Sequence, residues 1–224
     1  MPPPTLVFDL DGTLVDTAPD LIDALNVVFA REGLPPLPYA NARMLIGGGV
    51  RTMISRGLAA EDREAPHEYL DRLLAEFITH YTAHIADSSR LFPGVEPALD
   101  ELAADGFSLA VCTNKLEALS VQLLKTLGLA DRFSAICGPD TFGVQKPDPV
   151  ILHRTISAAG GKAATAIMIG DSATDVLTAR AAGVPVIAVD FGYTERPIAE
   201  FHPDRIIGHF NELALAIAPF AARR

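Results

Sequence analysis

Four short segments of the chain carry side chains that suit phosphate and metal chemistry. They contain, in chain order, Asp9 and Asp11, Thr113 and Asn114, Lys146, and Asp171 and Asp175. A carboxylate can attack phosphorus and form an acyl-phosphate, and carboxylate oxygens are common protein ligands of Mg²⁺. A lysine supplies a compact positive charge for phosphoryl oxygens. Together the four segments predict a site that binds a phosphate group and a divalent metal ion.

The segment Phe8-Asp9-Leu10-Asp11-Gly12-Thr13-Leu14 carries the most specific signal. Asp9 ends an apolar run, where an unpaired carboxylate would be costly, so we expect it to meet a cation and to act as the nucleophile. Asp11, two residues later, suits a general acid for the leaving oxygen and then a base for water. Gly12 permits a sharp turn. The structural alternative is an Asx-rich turn after a strand.

Thr113 and Asn114 follow a second apolar run. A hydroxyl and free backbone N–H groups at a strand-to-helix junction form a phosphate cradle, and the structural alternative, which this segment alone favours, is an N-cap for the helix that follows. Lys146 stands in Lys146-Pro147-Asp148-Pro149, where the prolines would hold it nearly fixed. It is a candidate phosphate ligand, with a solvated surface lysine as the alternative.

Asp171 follows a third apolar run, and with Asp9 it supplies the one or two carboxylates that Mg²⁺ usually takes from a protein. Asp175 lies one helical turn further on, on the same face as Asp171. It would hold a metal-bound water or orient Lys146. Its alternative role is a favourable negative charge near a helix N-terminus.

The apolar runs that precede these residues predict the elements that position them. Residues 5–8, 109–112 and 166–169 are short and, apart from Thr5, apolar, as in strands buried on both faces of a parallel sheet. Ligands of such sheets bind beyond the carboxyl ends of the strands, so we expect the three runs to deliver their polar residues to one pocket. From residue 95 onward, strands and helices alternate regularly, which indicates an α/β, doubly wound parallel sheet.

An insert separates the first strand from the second, which starts near Phe107. Its pattern is helical: 3.6-residue spacing covers Ala18–Arg31, a short helix covers residues 50–58, and a long helix covers residues 61–85. We therefore predict a core domain of residues 1–15 and 91–224 and a helical cap domain of residues 16–90. The hinges would lie near Val15-Asp16 and Phe92-Pro93-Gly94.

Composition narrows the function classes. The net charge of −10 and pI near 5.0 argue against nucleic acid or an anionic membrane as the main partner. The two cysteines, Cys112 and Cys137, lie in apolar runs and are expected to be buried thiols. The start of the chain lacks the features of a signal peptide, and no apolar run approaches the length of a membrane span. We expect a cytoplasmic protein, a monomer or weak homodimer, that acts on a small phosphorylated metabolite.

The order and spacing of these motifs resemble the haloacid dehalogenase superfamily of phosphohydrolases. The family pattern is Asp-x-Asp-x-[Thr/Val], then a Thr or Ser, a Lys and a final acidic pair. It falls here on Asp9 and Asp11, Thr113, Lys146, and Asp171 with Asp175. The resemblance implies a Rossmann-like core with a helical C1 cap and a Mg²⁺ cofactor. The implied metal ligands are Asp9, Asp171 and the backbone carbonyl of Asp11.

Within the superfamily, residues 8–21, 47–49 and 91–96 look most like bacterial phosphoglycolate phosphatases. That resemblance implies hydrolysis of 2-phosphoglycolate through an aspartyl-phosphate. A substrate with both phosphate and carboxylate would need a cation from the cap. Arg43 and Arg51 flank the glycine turn, and we predict substrate contacts from Gly48 and Arg51, with a solvated arginine as the alternative.

Three other functions stay open at this point. A phosphosugar mutase is one, although the β-phosphoglucomutases carry a His where this chain has Pro19. A phosphatase for another small organophosphate or for pyrophosphate is the second. The third is a phospho-accepting signalling module. Receiver domains share acids, Thr and Lys around one sheet, but they are about half this length and have no cap.

Overall fold

The centre of the molecule is a six-stranded parallel sheet with the order β5-β4-β1-β6-β7-β8. The computed structural model describes residues 4–194 and 196–221. The sheet strands are β1 (Thr5–Phe8), β4 (Ser108–Cys112), β5 (Ala135–Cys137), β6 (Ala166–Gly170), β7 (Val186–Val189) and β8 (Arg205–Ile207). Strand β1 is central and pairs with both β4 and β6. The predicted parallel α/β sheet is confirmed.

Alternate residues of the central strands feed two separate apolar clusters. Leu6 and Phe8 of β1 point to one face and Val7 to the other, as the two-residue repeat of a strand requires. Helices α5 (Val95–Ala104), α6 (Glu117–Thr126) and α10 (Leu213–Ala221) cover the first face, and α8 (Pro149–Ala158) and α9 (Ala173–Ala181) cover the second. Because both faces are covered, the interior of the central strands β1, β4 and β6 is apolar, and polar residues stand only at strand starts, as Thr5 and Ser108 do.

The strand register puts the predicted site residues at one level. Phe8 pairs with Val111 of β4 on one side and with Ile169 of β6 on the other. The residues just beyond these pairs therefore leave the same edge of the sheet. These are Asp9 on the first strand and, one residue further along, Thr113 and Asp171 on its two neighbours.

The insert after the first strand is helical, as predicted. It comprises α1 (Ala18–Arg31), α2 (Tyr39–Arg43), α3 (Val50–Ala60) and α4 (His67–Ala83). A two-stranded antiparallel ribbon, β2 (Val15–Asp16) with β3 (Arg90–Leu91), joins the two ends of this insert. The two crossings of the chain are therefore hydrogen-bonded to each other, at Val15-Asp16 and just before Phe92-Pro93-Gly94.

The prediction of one long helix over residues 61–85 is wrong at its start. Helix α3 continues to Ala60, a turn follows in which Asp62 has φ +53°, and α4 begins only at His67. Pro66 is the residue before α4, with extended backbone angles. A proline inside the helix would remove a backbone donor and clash with the preceding turn, so the helix cannot extend back through it.

The remaining differences between the predicted and the observed elements involve short segments. Helix α2, the four-residue α7 (Pro139–Phe142) and the ribbon strands were not predicted, and they have two to five residues each. The third sheet strand starts at Ala135 rather than Phe133, and the fifth at Val186 rather than Val184. The predicted helix at residues 211–218 begins with a 3₁₀ turn, Phe210–Glu212, before α10. In the part of the chain described, no helix combines the length and apolar character that crossing a membrane requires.

Candidate active site

The carboxyl edge of the sheet brings Asp9, Lys146 and Asp175 into direct contact. Asp9 follows β1, Lys146 lies in the loop before α8, and Asp175 lies in the first turn of α9. The Lys146 Nζ atom is 2.8 Å from Asp9 Oδ1 and 2.6 Å from Asp175 Oδ1. All three side chains are buried. Lys146 is therefore not the solvated surface lysine that the sequence left open.

Asn114 holds the loop that carries Lys146. Its Oδ1 accepts a hydrogen bond from the Lys146 backbone N–H at 2.9 Å, and its Nδ2 donates to the Lys146 carbonyl at 3.1 Å. The same Nδ2 lies 3.4 Å from the carbonyl of Gly47 in the insert. Asn114 thus ties the strand-to-helix junction after β4 both to the lysine loop and to the insert.

Asp175 has both carboxylate oxygens engaged. Oδ1 accepts from Lys146, and Oδ2 accepts from the backbone N–H and the hydroxyl of Ser172, in a capping box at the start of α9. The two roles considered for Asp175 besides a metal-water contact are thus combined, since it contacts Lys146 and also sits at a helix N-terminus.

The local charge balance fits a divalent cation. Asp9, Asp171 and Asp175 offer carboxylate oxygens that lie within 4.8 Å of one another, and all three are buried. Burial and the charge of Asp175 raise the pKa of Asp9 to about 7, although Lys146 opposes the shift. Burial, Asp175 and Asp9 raise the pKa of Asp171. Three carboxylates against one ammonium group leave negative charge that Mg²⁺ would compensate. The oxygens of all three carboxylates lie close enough together to face one ion.

Asp171 is held in a fixed orientation. Its Oδ1 accepts a hydrogen bond from the Thr13 hydroxyl at 3.2 Å, and its Oδ2 accepts from the Tyr193 backbone N–H at 2.6 Å. Gly12 makes this arrangement possible, because its φ is +86° and a Cβ there would lie 2.4 Å from Asp171 Oδ2. A Cβ at Gly192 would likewise lie 2.3 Å from Asp171 Oδ2. The turn glycine is thus required both for the backbone angle and for space.

Asp11 is bound by a lysine that sequence reasoning missed. Lys115 Nζ donates to both Asp11 oxygens, at 2.7 and 2.9 Å, and the Thr17 hydroxyl donates to Oδ1 at 2.8 Å. The Lys115 ammonium also lies 4.9 Å from the centroid of the Tyr81 ring of α4. Burial acts to lower the pKa of Lys115, but its interactions with Asp11 and Tyr81 together outweigh burial, so the pKa is raised. The sequence signal that could have identified Lys115 is its position directly after Thr113 and Asn114.

A cavity of about 430 Å³, including its open mouth, lies beside these residues. The core lines it with Asp9, Asp11, Thr113, Asn114 and Lys115. The insert lines it with Leu21, Ile46, Gly47, Gly49, Val50 and Met53. Charged and hydrogen-bonding groups therefore come from the sheet edge, and the insert supplies an apolar wall.

The predicted cap contacts lie elsewhere. Arg51 forms an ion pair with Asp71 of α4 and, together with Gly48, borders a neighbouring cavity. Arg43 donates to the carbonyls of Phe191 and Gly192 at 2.9 and 3.0 Å. The structure does not bring either arginine into the cavity that contains Asp9, whereas Gly47 and Gly49 do line it.

Comparison with known proteins agrees with this geometry. The family model described as haloacid dehalogenase-like hydrolase matches residues 6–189. A phosphoglycolate phosphatase of Mesorhizobium japonicum is 50% identical over 215 residues, covering 96% of this chain and 95% of the relative. One of Agrobacterium fabrum is 48% identical over 214 residues, covering 96% and 92%.

A solved structure from Haemophilus somnus, described as a predicted phosphoglycolate phosphatase, matches with a TM-score of 0.88. It is 28% identical, and the match covers 96% of this chain and 97% of that one. Fold, motifs and relatives therefore agree over nearly the whole length. The chain belongs to the haloacid dehalogenase-like hydrolases, as its motifs indicated, and it is a phosphatase of that family.

Proposed function

We propose that this phosphatase is Mg²⁺-dependent, acts through an aspartyl-phosphate on Asp9, and converts 2-phosphoglycolate to glycolate and phosphate. The observation that carries the proposal is the buried carboxylate of Asp9 at the end of the central strand. It faces one ammonium group and two further carboxylates. A nucleophile in this position lies next to the ammonium group of Lys146. It also lies next to an excess of negative charge that a metal ion would neutralise.

In the first step, an Asp9 oxygen attacks phosphorus in line with the ester oxygen. The new bond joins Asp9 to phosphorus, and the bond from phosphorus to the ester oxygen breaks. Asp11, whose carboxyl group lines the same cavity, gives a proton to the departing alkoxide. In the second step, Asp11 takes a proton from water, and the water oxygen attacks phosphorus and releases Asp9.

The phosphoryl oxygens are bound by groups of this chain throughout. Lys146 Nζ, already 2.8 Å from Asp9 Oδ1, is placed to stabilise charge on them, and the Thr113 hydroxyl and the backbone after β4 supply donors. Asp9, Asp171 and the Asp11 carbonyl would hold Mg²⁺. When bound, the metal ion supplies charge neutralisation for the phosphoryl group and the carboxylates.

The substrate assignment rests on size and on the relatives. We propose that residues 16–90 form a cap domain over a core of residues 1–15 and 91–224, so that the cavity admits only a small organic phosphate. The apolar wall from the insert would exclude bulk water during the reaction. Relatives of nearly equal length at 48–50% identity are named phosphoglycolate phosphatases, which supports 2-phosphoglycolate as the substrate.

The test measures phosphate release from 2-phosphoglycolate, a panel of sugar phosphates and pyrophosphate, each with Mg²⁺ and with EDTA. We expect the highest kcat/KM for 2-phosphoglycolate and no turnover in EDTA. A preference for a sugar phosphate, or isomerisation without phosphate release, would contradict the substrate assignment.

A second measurement tests the intermediate. Borohydride reduces an acyl-phosphate, so quenching the enzyme during turnover should convert Asp9 to homoserine, which mass spectrometry of the peptide containing residue 9 detects. The Asp9→Asn variant should give no such product and no phosphate release. Substantial turnover in that variant would refute the nucleophile assignment.

A further inference from the structure

The cavity contains a single cation that the mechanism above does not use. Among the described residues that line it, Lys115 is the one with a positive charge. Lys146 is paired with Asp9 and Asp175, and both cap arginines near the glycine turn bind other groups. A substrate with a second anionic group would therefore meet Lys115.

Lys115 is fixed rather than mobile. Its side chain is 2% exposed, and its ammonium group is held by both oxygens of Asp11. Its other neighbour is the ring of Tyr81, which is fully buried and stacks on Phe77 with ring centroids 5.6 Å apart. An ammonium group held by a carboxylate on one side and an aromatic face on another is already desolvated and oriented.

The contact of Lys115 with Asp11 places its ammonium group near the position of a short anionic ester. Asp11 reaches the ester oxygen in the proposed mechanism, and Lys115 Nζ lies one hydrogen bond beyond Asp11, at 2.7 Å. In 2-phosphoglycolate, one methylene group separates the ester oxygen from the carboxylate. The carboxylate would therefore lie next to the Asp11–Lys115 pair.

Resting on the proposed function, we infer that Lys115 binds the substrate carboxylate and so selects phosphomonoesters that carry an anionic group beside the ester carbon. An ammonium group has three N–H donors, so it can serve Asp11 and a second carboxylate together. The specificity residue thus comes from the core, directly after the phosphate-binding Thr113 and Asn114, and not from the cap.

The test compares 2-phosphoglycolate with 2-hydroxyethyl phosphate, which replaces the carboxylate by an uncharged alcohol. The ratio of the two kcat/KM values is measured for the wild type and for Lys115→Met, Lys115→Arg, Arg51→Met and Lys125→Met. Lys125 is an exposed residue of α6 and serves as the matched control. Any disturbance of Asp11 affects both substrates and cancels in the ratio.

We expect Lys115→Met to lower the ratio roughly ten- to a hundredfold, the usual effect of losing a charge-assisted hydrogen bond, through a higher KM for 2-phosphoglycolate. Lys115→Arg should retain part of the preference, and Lys125→Met all of it. If Lys115→Met reduces turnover of both substrates equally, Lys115 only positions Asp11 and the inference is overturned. A loss of preference in Arg51→Met but not in Lys115→Met overturns it as well.

Two further results keep this inference separate from the proposed function and from misfolding of the variant. If the wild type hydrolyses neither compound, the proposed function itself has failed. Should Lys115→Met not fold, the wild type is titrated with 3-phosphonopropionate and with its carboxamide. If the acid inhibits at least tenfold more tightly than the carboxamide, the role of Lys115 is supported. Equal inhibition by the two compounds refutes it.

Discussion

Replacing Asp9 by asparagine should stabilise the metal-free protein at neutral pH while it abolishes turnover. Burial and the neighbouring Asp175 raise the pKa of the Asp9 carboxyl from 3.8 to about 7. Between these two values the native carboxyl keeps a proton that the unfolded chain has lost. The stability that this proton supports is complete below pH 3.8 and is lost as the pH rises through 7.

The size of the effect follows from that window. The slope is about 1.4 kcal/mol per pH unit wherever only the native form is protonated. For Asp9 this amounts to about 2–3 kcal/mol of lost unfolding free energy between pH 5 and pH 8. The Asp9→Asn variant has no titrating carboxyl group at this position and therefore does not show this loss of unfolding free energy. Asp9 also contributes to the raised pKa of Asp171, so removing its charge adds a change of the same sign.

The assay is urea unfolding followed by far-UV circular dichroism, at pH 5 and pH 8, with EDTA present throughout. Asp131→Asn, at an exposed carboxylate in the 3₁₀ turn Ala130–Arg132, is the matched control. The stability of Asp9→Asn relative to wild type should increase by about 2–3 kcal/mol from pH 5 to pH 8, and that of the control should not change. An equal difference at both pH values would refute the claim that the cluster carries uncompensated charge.

The neighbours of Asp9 should respond in three measurable ways. In Gly12→Ala, the new Cβ would lie 2.4 Å from Asp171 Oδ2 and displace that carboxylate. The Mg²⁺ concentration for half-maximal activity should therefore rise about tenfold or more. An unchanged Mg²⁺ dependence would contradict this prediction. Lys146→Met leaves Asp9 and Asp175 without their cation. The unfolding free energy measured by urea titration should fall by roughly 3–5 kcal/mol at pH 8 and by less at pH 5. Equal losses at the two pH values would argue against the pairing. Mg²⁺ at a hundred times its Kd should add about 2.7 kcal/mol to wild-type stability in melting experiments, and no shift would mean that the native state does not bind it.

The convergence of the core residues could be predicted from the sequence because it depends on sheet geometry alone. Short apolar runs predict buried parallel strands, and parallel strands present their carboxyl ends at one edge. Asp9, Thr113 and Asp171 each follow such a run, so their separation along the chain did not matter. The register of β1 between β4 and β6 realises this expectation.

The cap contacts could not be predicted because they depend on how helices pack. Arg51 stands near the glycine turn in the sequence, yet it pairs with Asp71, because α3 packs against α4. In the sequence, its residue type does not distinguish Lys115 from a surface lysine near the start of a helix. Its contact with Asp11 exists only once β4 lies beside β1. Both outcomes follow from long-range packing that a local pattern of charges does not contain.

The missed boundaries have a different origin. Pro66 was a visible signal for the start of α4, and the long apolar stripe of residues 69–81 obscured it. The ribbon strands β2 and β3 have two residues each, which is too short for any periodicity. Their pairing depends on the chain leaving and re-entering the core at one place, which is a property of the whole fold.

Tyr193 connects that crossing point with Asp171 of the carboxylate cluster. Its backbone N–H donates to Asp171, and its hydroxyl accepts from the backbone N–H of Ala18 at 3.0 Å and donates to Asp16. Asp16 belongs to the ribbon and Ala18 is the first residue of α1, so Tyr193 contacts the ribbon, the insert and the carboxylate of Asp171. The guanidinium of Arg43 lies 5.0 Å from the centroid of the same ring. A change in how the insert meets the core would therefore act on the residue that orients Asp171, which links the placement of the helices to the geometry of the charge cluster.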